Sequence, residues 1–187
     1  MLTLAELEWP RTTSRLSIRP CTEADLPAFW QWYRSPQISE WLTRRAADEA
    51  AHIAGHLRAI DDVLVGEAGG RIVSTAKLAI QDAWSQAEIA DQAQAVEAEI
   101  GWTVDPSLQG QGIGTELATE LLAICFEALG VRRVVAHCFA DNTASWKVME
   151  KIGMRREAHF REDSLHRDGR WYDSYSYAML ATEWRAS

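Results

Sequence analysis

Apolar positions recur along this chain with two different periods. Residues 15–20, RLSIRP, alternate and stop at Pro20, which predicts a first strand. Thr22, with Asp25 three residues on, predicts the N-terminus of a helix running through Trp30, Trp32 and Tyr33 until Pro36 breaks it. Residues 38–60 read as a second helical stretch, with Ile38, Leu42, Ile53, Leu57 and Ile60 apolar. Residues 63–80 read as a hairpin turning at Gly69-Gly70. The Gln- and Ala-rich segment 81–95 fits either a loop or a short helix. Residues 96–104, VEAEIGWTV, alternate again and end at Asp105-Pro106. From Gly112 to about Leu129 the period becomes helical: Ile113, Leu117, Leu121, Ile124 and Ala128 form one stripe, and Gly130 is the expected stop. A strand over 131–139, a helix over 141–153 capped by Asp141 or Asn142, and two strands between 154 and 180 turning at Asp168-Gly169 complete the series. The order is β-α-α-β-β-β-α-β-α-β-β. It predicts an α/β fold with a mixed central sheet of about six to seven strands flanked by helices, in a single domain over 1–187.

Composition narrows the function. The 187 residues carry 19 Lys+Arg against 27 Asp+Glu, a formal net charge of -8. That balance argues against nucleic acid as a partner, which requires basic patches, and favours cationic partners at long range. Cys21, Cys125 and Cys138 are odd in number and widely spaced, which speaks against a disulfide framework or a zinc site. No leader-like apolar segment opens the sequence, and no apolar run approaches the roughly 20 residues of a membrane span. The expectation is a soluble cytoplasmic protein that binds no membrane.

The stretch LQGQGIGTE, residues 108–116, places Gly110, Gly112 and Gly114 at alternate positions between a strand and a helix. A strand, a glycine turn and a helix start aim unpaired backbone N–H groups and the positive end of the helix dipole at one point, which suits a phosphate. The spacing lacks the lysine of a P-loop and departs from a dinucleotide fingerprint. A turn that only brings helix and strand close together is the alternative.

Gln109-Gly110-Gln111-Gly112-Ile113-Gly114 resembles the [RQ]xxGx[GA] signature of the GCN5-related N-acetyltransferases (GNAT). The resemblance extends to RLSIRPCTEADL at the start, AEIGWTVDPSLQGQGIGTE in the middle and ADNTASWKVMEKIGMRREA after it. Asn142, Ser145 and the run from Glu150 to Met154, followed by GRWYDSYSYAML, are most similar to the branch that acetylates ribosomal-protein N-termini (RimJ/RimL-like). The resemblance implies a GNAT-type domain that transfers acetyl directly from acetyl-CoA to a primary amine, with no metal. It implies cofactor contacts from Trp102, Thr103 and Val104, from Gln109, Gly110, Gln111, Gly112, Ile113, Gly114 and Thr115 in the loop and helix start, and from Asn142 and Ser145. Backbone N–H groups around Thr103 and Val104 would hold the oxyanion. The branch is commonly dimeric, so a homodimer is open.

Three carboxylates compete for the base. Glu97 and Glu99 lie two apart on one face of a predicted strand, and Glu157 matches a position proposed as base in the ribosomal-protein branch. For the acid, much of the family places Tyr seven residues after the helix-start Asn; here that residue is Met149, which has no proton to give. The branch uses a Ser three residues after the Asn instead, which points to Ser145. Asn142 would hold the pantetheine or cap its helix. Lys147 would reach a coenzyme phosphate or remain a surface lysine. His52 and His56 share a helical face but lack a third metal ligand. Trp30, Trp32, Tyr33 and Trp41 line an acceptor wall or pack as core. Trp171, Tyr172 and Asp173 match a segment near the acceptor entrance, where Asp173 would attract an amine. The acceptor is thus a protein N-terminus, with a small polyamine or aminoglycoside-like amine as the alternative. A non-catalytic acyl-CoA-binding module is the third reading.

Overall fold

The computed structural model describes residues 3–185. Among them eight strands form one sheet: β1 (Arg11–Thr12), β2 (Ser17–Pro20), β3 (Val63–Ala68), β4 (Arg71–Gln81), β5 (Glu97–Val104), β6 (Arg133–Phe139), β7 (Arg155–Leu165) and β8 (Trp171–Leu180). The hydrogen-bonded order is β1-β2-β3-β4-β5-β6-β8-β7. The helices are α1 (Leu26–Tyr33), α2 (Pro36–Ser39), α3 (Glu49–Leu57), α4 (Ile113–Ala123), α5 (Thr143–Lys151) and α6 (Ala181–Trp184). β5 pairs with β6 in parallel, Glu97 opposite Arg133, while β1–β2, β2–β3, β3–β4, β6–β8 and β7–β8 are antiparallel. The fold is the expected mixed α/β sheet flanked by helices, with eight strands rather than six or seven. The extra strand, β1, is two residues long and has no periodicity to announce it.

The described residues divide into two compact units, one running to Leu78 and including Trp102–Leu117, the other of Ala79–Gly101 with the residues from Ala118 onward. In the first, Cys21, Leu26, Phe29 and Val65 are buried and Trp32, Tyr33, Ile53 and Ile60 pack against them. The Thr22 backbone N–H and hydroxyl both donate to Asp25 Oδ2 at 2.7 Å, which starts a short 3-10 turn ahead of α1. The continuous helix expected over 38–60 is not formed. α2 ends at Ser39 and α3 begins only after Asp48, whose carboxylate accepts from Ala51 N at 2.8 Å. A capping aspartate sets a helix start, so the two apolar registers on either side of it belong to separate helices. Segment 81–95 resolves into 3-10 turns over Ala87–Ala93.

In the second unit, β6 and the long β7–β8 hairpin dominate, with Tyr177, Ala178, Val134 and Ala136 fully buried. The predicted helix over 112–129 is α4 followed by a π-helical turn, Ile124–Ala128, in which Ile124, Cys125 and Phe126 are buried.

Candidate functional site

Two clusters carry the chemistry, one in each unit. The first is the glycine stretch. β5 ends at Val104, and Asp105 turns the chain: its Oδ1 accepts from Ser107 N at 2.9 Å and Ser107 Oγ at 2.7 Å, while its own N–H donates to Val73 O at 2.9 Å. Gly110 and Gly112 then adopt φ of 76° and 84°. An L side chain is disfavoured there, and a Cβ on Gly110 would meet no protein atom within 4 Å, so that backbone faces open space. Gly114, by contrast, lies in the first turn of α4, where the leading N–H groups have no intrahelical acceptor.

Beside this loop sits a cation that pattern and motif did not reveal. Arg15 Nη1 donates to Gln111 O at 2.8 Å, and its Nη2 lies 3.3 Å from where a Gly112 Cβ would stand. Its Nε donates to Glu116 Oε2 at 2.6 Å. Glu116 Oε1 collects Thr13 Oγ1 at 2.5 Å, Ser14 Oγ at 2.9 Å and Arg15 N at 2.8 Å. Partial burial pushes the Glu116 pKa up, but the hydrogen bonds from Thr13, Arg15 and Ser14 outweigh it and hold the carboxyl at about 2. The one hint in sequence was Glu116 itself, lying off the apolar stripe of its helix.

The predicted contact residues divide by what they touch. Gln109 donates to Val104 O at 3.3 Å and accepts from Gln37 Nε2 at 2.7 Å, and Gln111 donates to Ser107 O at 3.3 Å. Both side chains therefore brace the loop. Ile113 and Val104 are buried, whereas Trp102, Thr103 and Thr115 are half-buried. Burial pushes the pKa of the nearby Tyr33 phenol upward, and its oxygen lies 2.8 Å from Thr75 Oγ1. His52 and His56 join Phe29, Trp30 and Tyr33 in an aromatic cluster, the two imidazole centroids 4.3 Å apart. Among the described residues no group of three or more His, Cys, Asp or Glu could hold a metal ion.

The second cluster surrounds the start of α5. Asn142 caps the helix, its Oδ1 accepting from Ser145 N at 3.2 Å. Ser145 lies beside Cys138 on β6, a thiol that burial pushes up to about 11. Met149 is closed into the core at 1% exposure. Arg156 lies 4.0 Å over the Tyr175 ring and donates to Tyr177 Oη at 2.7 Å and Glu150 Oε1 at 3.0 Å, which locks this face of the sheet under α5.

The three candidate carboxylates differ in their partners. Glu97 pairs with Arg132 and Arg133, each at 3.3 Å. Glu157 pairs with Arg133 and, at 2.6 Å, with Arg155. Partial burial opposes ionisation of Glu157, but the two arginines prevail and lower its pKa. Glu99 is half-buried on β5, opposite Val135.

A glycine turn between strand and helix with an arginine beside it is a geometry that suits an anion such as a phosphate. Residues 15–155 match the family model described as an acetyltransferase (GNAT) domain, so the chain belongs to the GNAT acetyltransferase family. The uncharacterized N-acetyltransferase YnaD of Bacillus subtilis is 40% identical over 86 residues, 46% of this chain and 50% of YnaD. YdaF of the same organism, provisionally named a ribosomal N-acetyltransferase, is 34% identical over 88 residues, 47% of this chain and 48% of YdaF. The aligned part thus spans about half the length of these curated relatives. A GNAT-family acetyltransferase structure from Bacillus anthracis superposes with a TM-score of 0.77 at 26% identity, over 92% of this chain and 98% of that one. No helix among the described residues is long and apolar enough to cross a membrane.

Proposed function

We propose that this protein is an acetyl-CoA-dependent N-acetyltransferase, working as one catalytic domain, with protein N-termini as its acceptors. The observation that carries the reading is the cradle: the backbone at Gly110 and Gly112, the N-terminus of α4 that follows them, and Arg15 fixed beside them. Its anion would be the pyrophosphate of acetyl-CoA. The α5 start supports the catalytic half of the reading. Ser145 would protonate the departing thiolate, the residue seven positions past Asn142 being a buried Met149. Backbone N–H groups around Thr103 and Val104 would stabilise the oxyanion. The likeness to YdaF supports a protein N-terminus as acceptor, and the net charge of -8 suits either that cation or a small polyamine. A cytoplasmic setting and a homodimer belong to the same reading.

Calorimetry with acetyl-CoA, followed by thiol release on a panel of N-terminal peptides, polyamines and aminoglycosides, tests it. Binding with turnover on peptides supports the proposal. Turnover confined to small amines replaces the acceptor class. Binding without turnover identifies a non-catalytic acyl-CoA module, and an absence of binding removes the reading.

A further inference from the structure

β7 and β8 hold a histidine–aspartate pair at the mouth of a cleft. His159 Nε2 lies 2.6 Å from Asp173 Oδ2. Asp173 Oδ1 accepts from Glu162 N at 2.9 Å, and Arg161 Nε stands 3.3 Å from Oδ2. The backbone N–H of Glu162, His159 and Arg161 together lower the Asp173 pKa, so its carboxylate is ionised and accepts only. Nε2 of His159 must then carry the hydrogen. Nδ1 keeps a lone pair, and it has no hydrogen-bond partner among the described residues. The imidazole is fixed edge-on to Tyr175, ring centroids 5.0 Å apart. Glu162, at φ 47°, marks the irregularity in β7 pairing that turns this segment toward Asp173.

The pair is placed on the face that carries Ser145. Register sets Cys138 of β6, Tyr175 of β8 and His159 of β7 in one cross-strand row, and directly opposed residues point to one face. Cys138 is the neighbour of Ser145, and Ala140, three residues before the first residue of α5, donates its N–H to Asp173 O at 2.9 Å. His159 therefore stands two strand spacings from Cys138, roughly 10 Å. A cleft of about 410 Å³ opens here, lined by Asp141, His159, Glu162, Tyr172, Asp173 and Tyr175 among others. Its charged lining residues are Asp141, Glu162, Asp173 and Arg170. Acidic walls attract an ammonium, and an imidazole with one free nitrogen deprotonates it.

Resting on the acetyl-transfer reading above, we propose that His159 is the general base toward the acceptor ammonium and that Asp173 is its positioning residue. One of the three ammonium protons passes to Nδ1, directly or through one water. The amine nitrogen then bonds to the thioester carbonyl carbon as the C–S bond breaks. A second proton ends on the coenzyme A sulfur and the third stays on the amide. Glu97 and Glu157, each paired to two arginines, have no such free acceptor geometry.

The test uses the whole chain with an amine on which the wild type turns over. His159→Gln is expected to lower kcat/KM for the amine about 100-fold, the lower end of what a general base supplies. Its affinity for acetyl-CoA stays within about twofold, which also reports folding. The acid limb of the pH–rate profile disappears, and added imidazole restores turnover to His159→Ala. Asp173→Asn moves that limb and lowers kcat more than it changes KM. Full activity in His159→Gln, or loss of the limb in Glu99→Gln instead, overturns the base. A wild type that transfers acetyl to no amine overturns the reading beneath it as well.

Discussion

Arg15 and Glu116, 101 residues apart in sequence, meet Nε to Oε2 at 2.6 Å beside the glycine turn. The carboxylate also takes the Thr13 and Ser14 hydroxyls and the Arg15 N–H, so the guanidinium is held in place before any ligand arrives. Preorganisation of this kind saves side-chain ordering on binding. Arg15→Gln is expected to weaken acetyl-CoA about tenfold, the loss of one charge-assisted hydrogen bond. Glu116→Gln, which frees the arginine without removing it, should give a smaller loss. Calorimetric titration of both variants ranks them, and equal affinity for all three proteins would exclude Arg15 from the phosphate site.

Gly110 and Gly112 separate strain from ligand contact. Alanine at either adopts a left-handed backbone at about 1–2 kcal/mol. At Gly112 the new Cβ also meets Arg15 Nη2 at 3.3 Å, whereas at Gly110 it meets no protein atom within 4 Å. Both variants should lower the melting temperature. If Gly110→Ala loses acetyl-CoA affinity out of proportion to its stability, the coenzyme lies against that backbone. Unchanged affinity would show a turn built for packing alone.

Ser145→Ala is expected to lower kcat about tenfold, less than the usual general-acid contribution because a thiolate departs readily. Cys138→Ala removes the thiol beside the hydroxyl and should change kcat less. Met149→Tyr will not rescue Ser145→Ala: the site is 1% exposed, and overpacking there costs about 1–3 kcal/mol. Steady-state kinetics with thermal melts decide the matter.

His52 makes stability depend on pH. Burial, followed by the charge of His56, pushes its pKa down to about 4, against a hydrogen bond that the imidazole donates to the Leu26 backbone. The folded pKa lies below that of an unfolded histidine, about 6.5. Protonation therefore favours the unfolded chain, and the stability present above about pH 6.5 is lost as pH falls toward 4. His52→Phe keeps the aromatic packing without the titration. Its melting temperature should fall less than that of the wild type between those pH values; parallel curves would refute the assignment.

Much of the fold was legible because local rules carry it. The apolar stripe at Leu117 and Leu121 of α4 and Ile124 of the turn after it is buried as its period demands, and the hairpin turns fall at Gly69-Gly70 and Asp168-Gly169. The break between α2 and α3 was missed because apolar spacing continues across it, while the Asp48 cap that enforces it is a single polar residue. At the site, the glycine turn announced itself by spacing. Arg15 did not, since its value lies in Glu116 and Gln111, far along the chain.

The sequence by itself determined the alternation of strand and helix, the glycine turn at Gly110 and Gly112 and the absence of a tyrosine at 149, because each is written in consecutive residues. Only the tertiary structure decided that Arg15 guards the turn, that arginines occupy Glu97 and Glu157, and that His159 meets Asp173. Those pairings depend on strand register and on side chains from distant segments, and no local period encodes either.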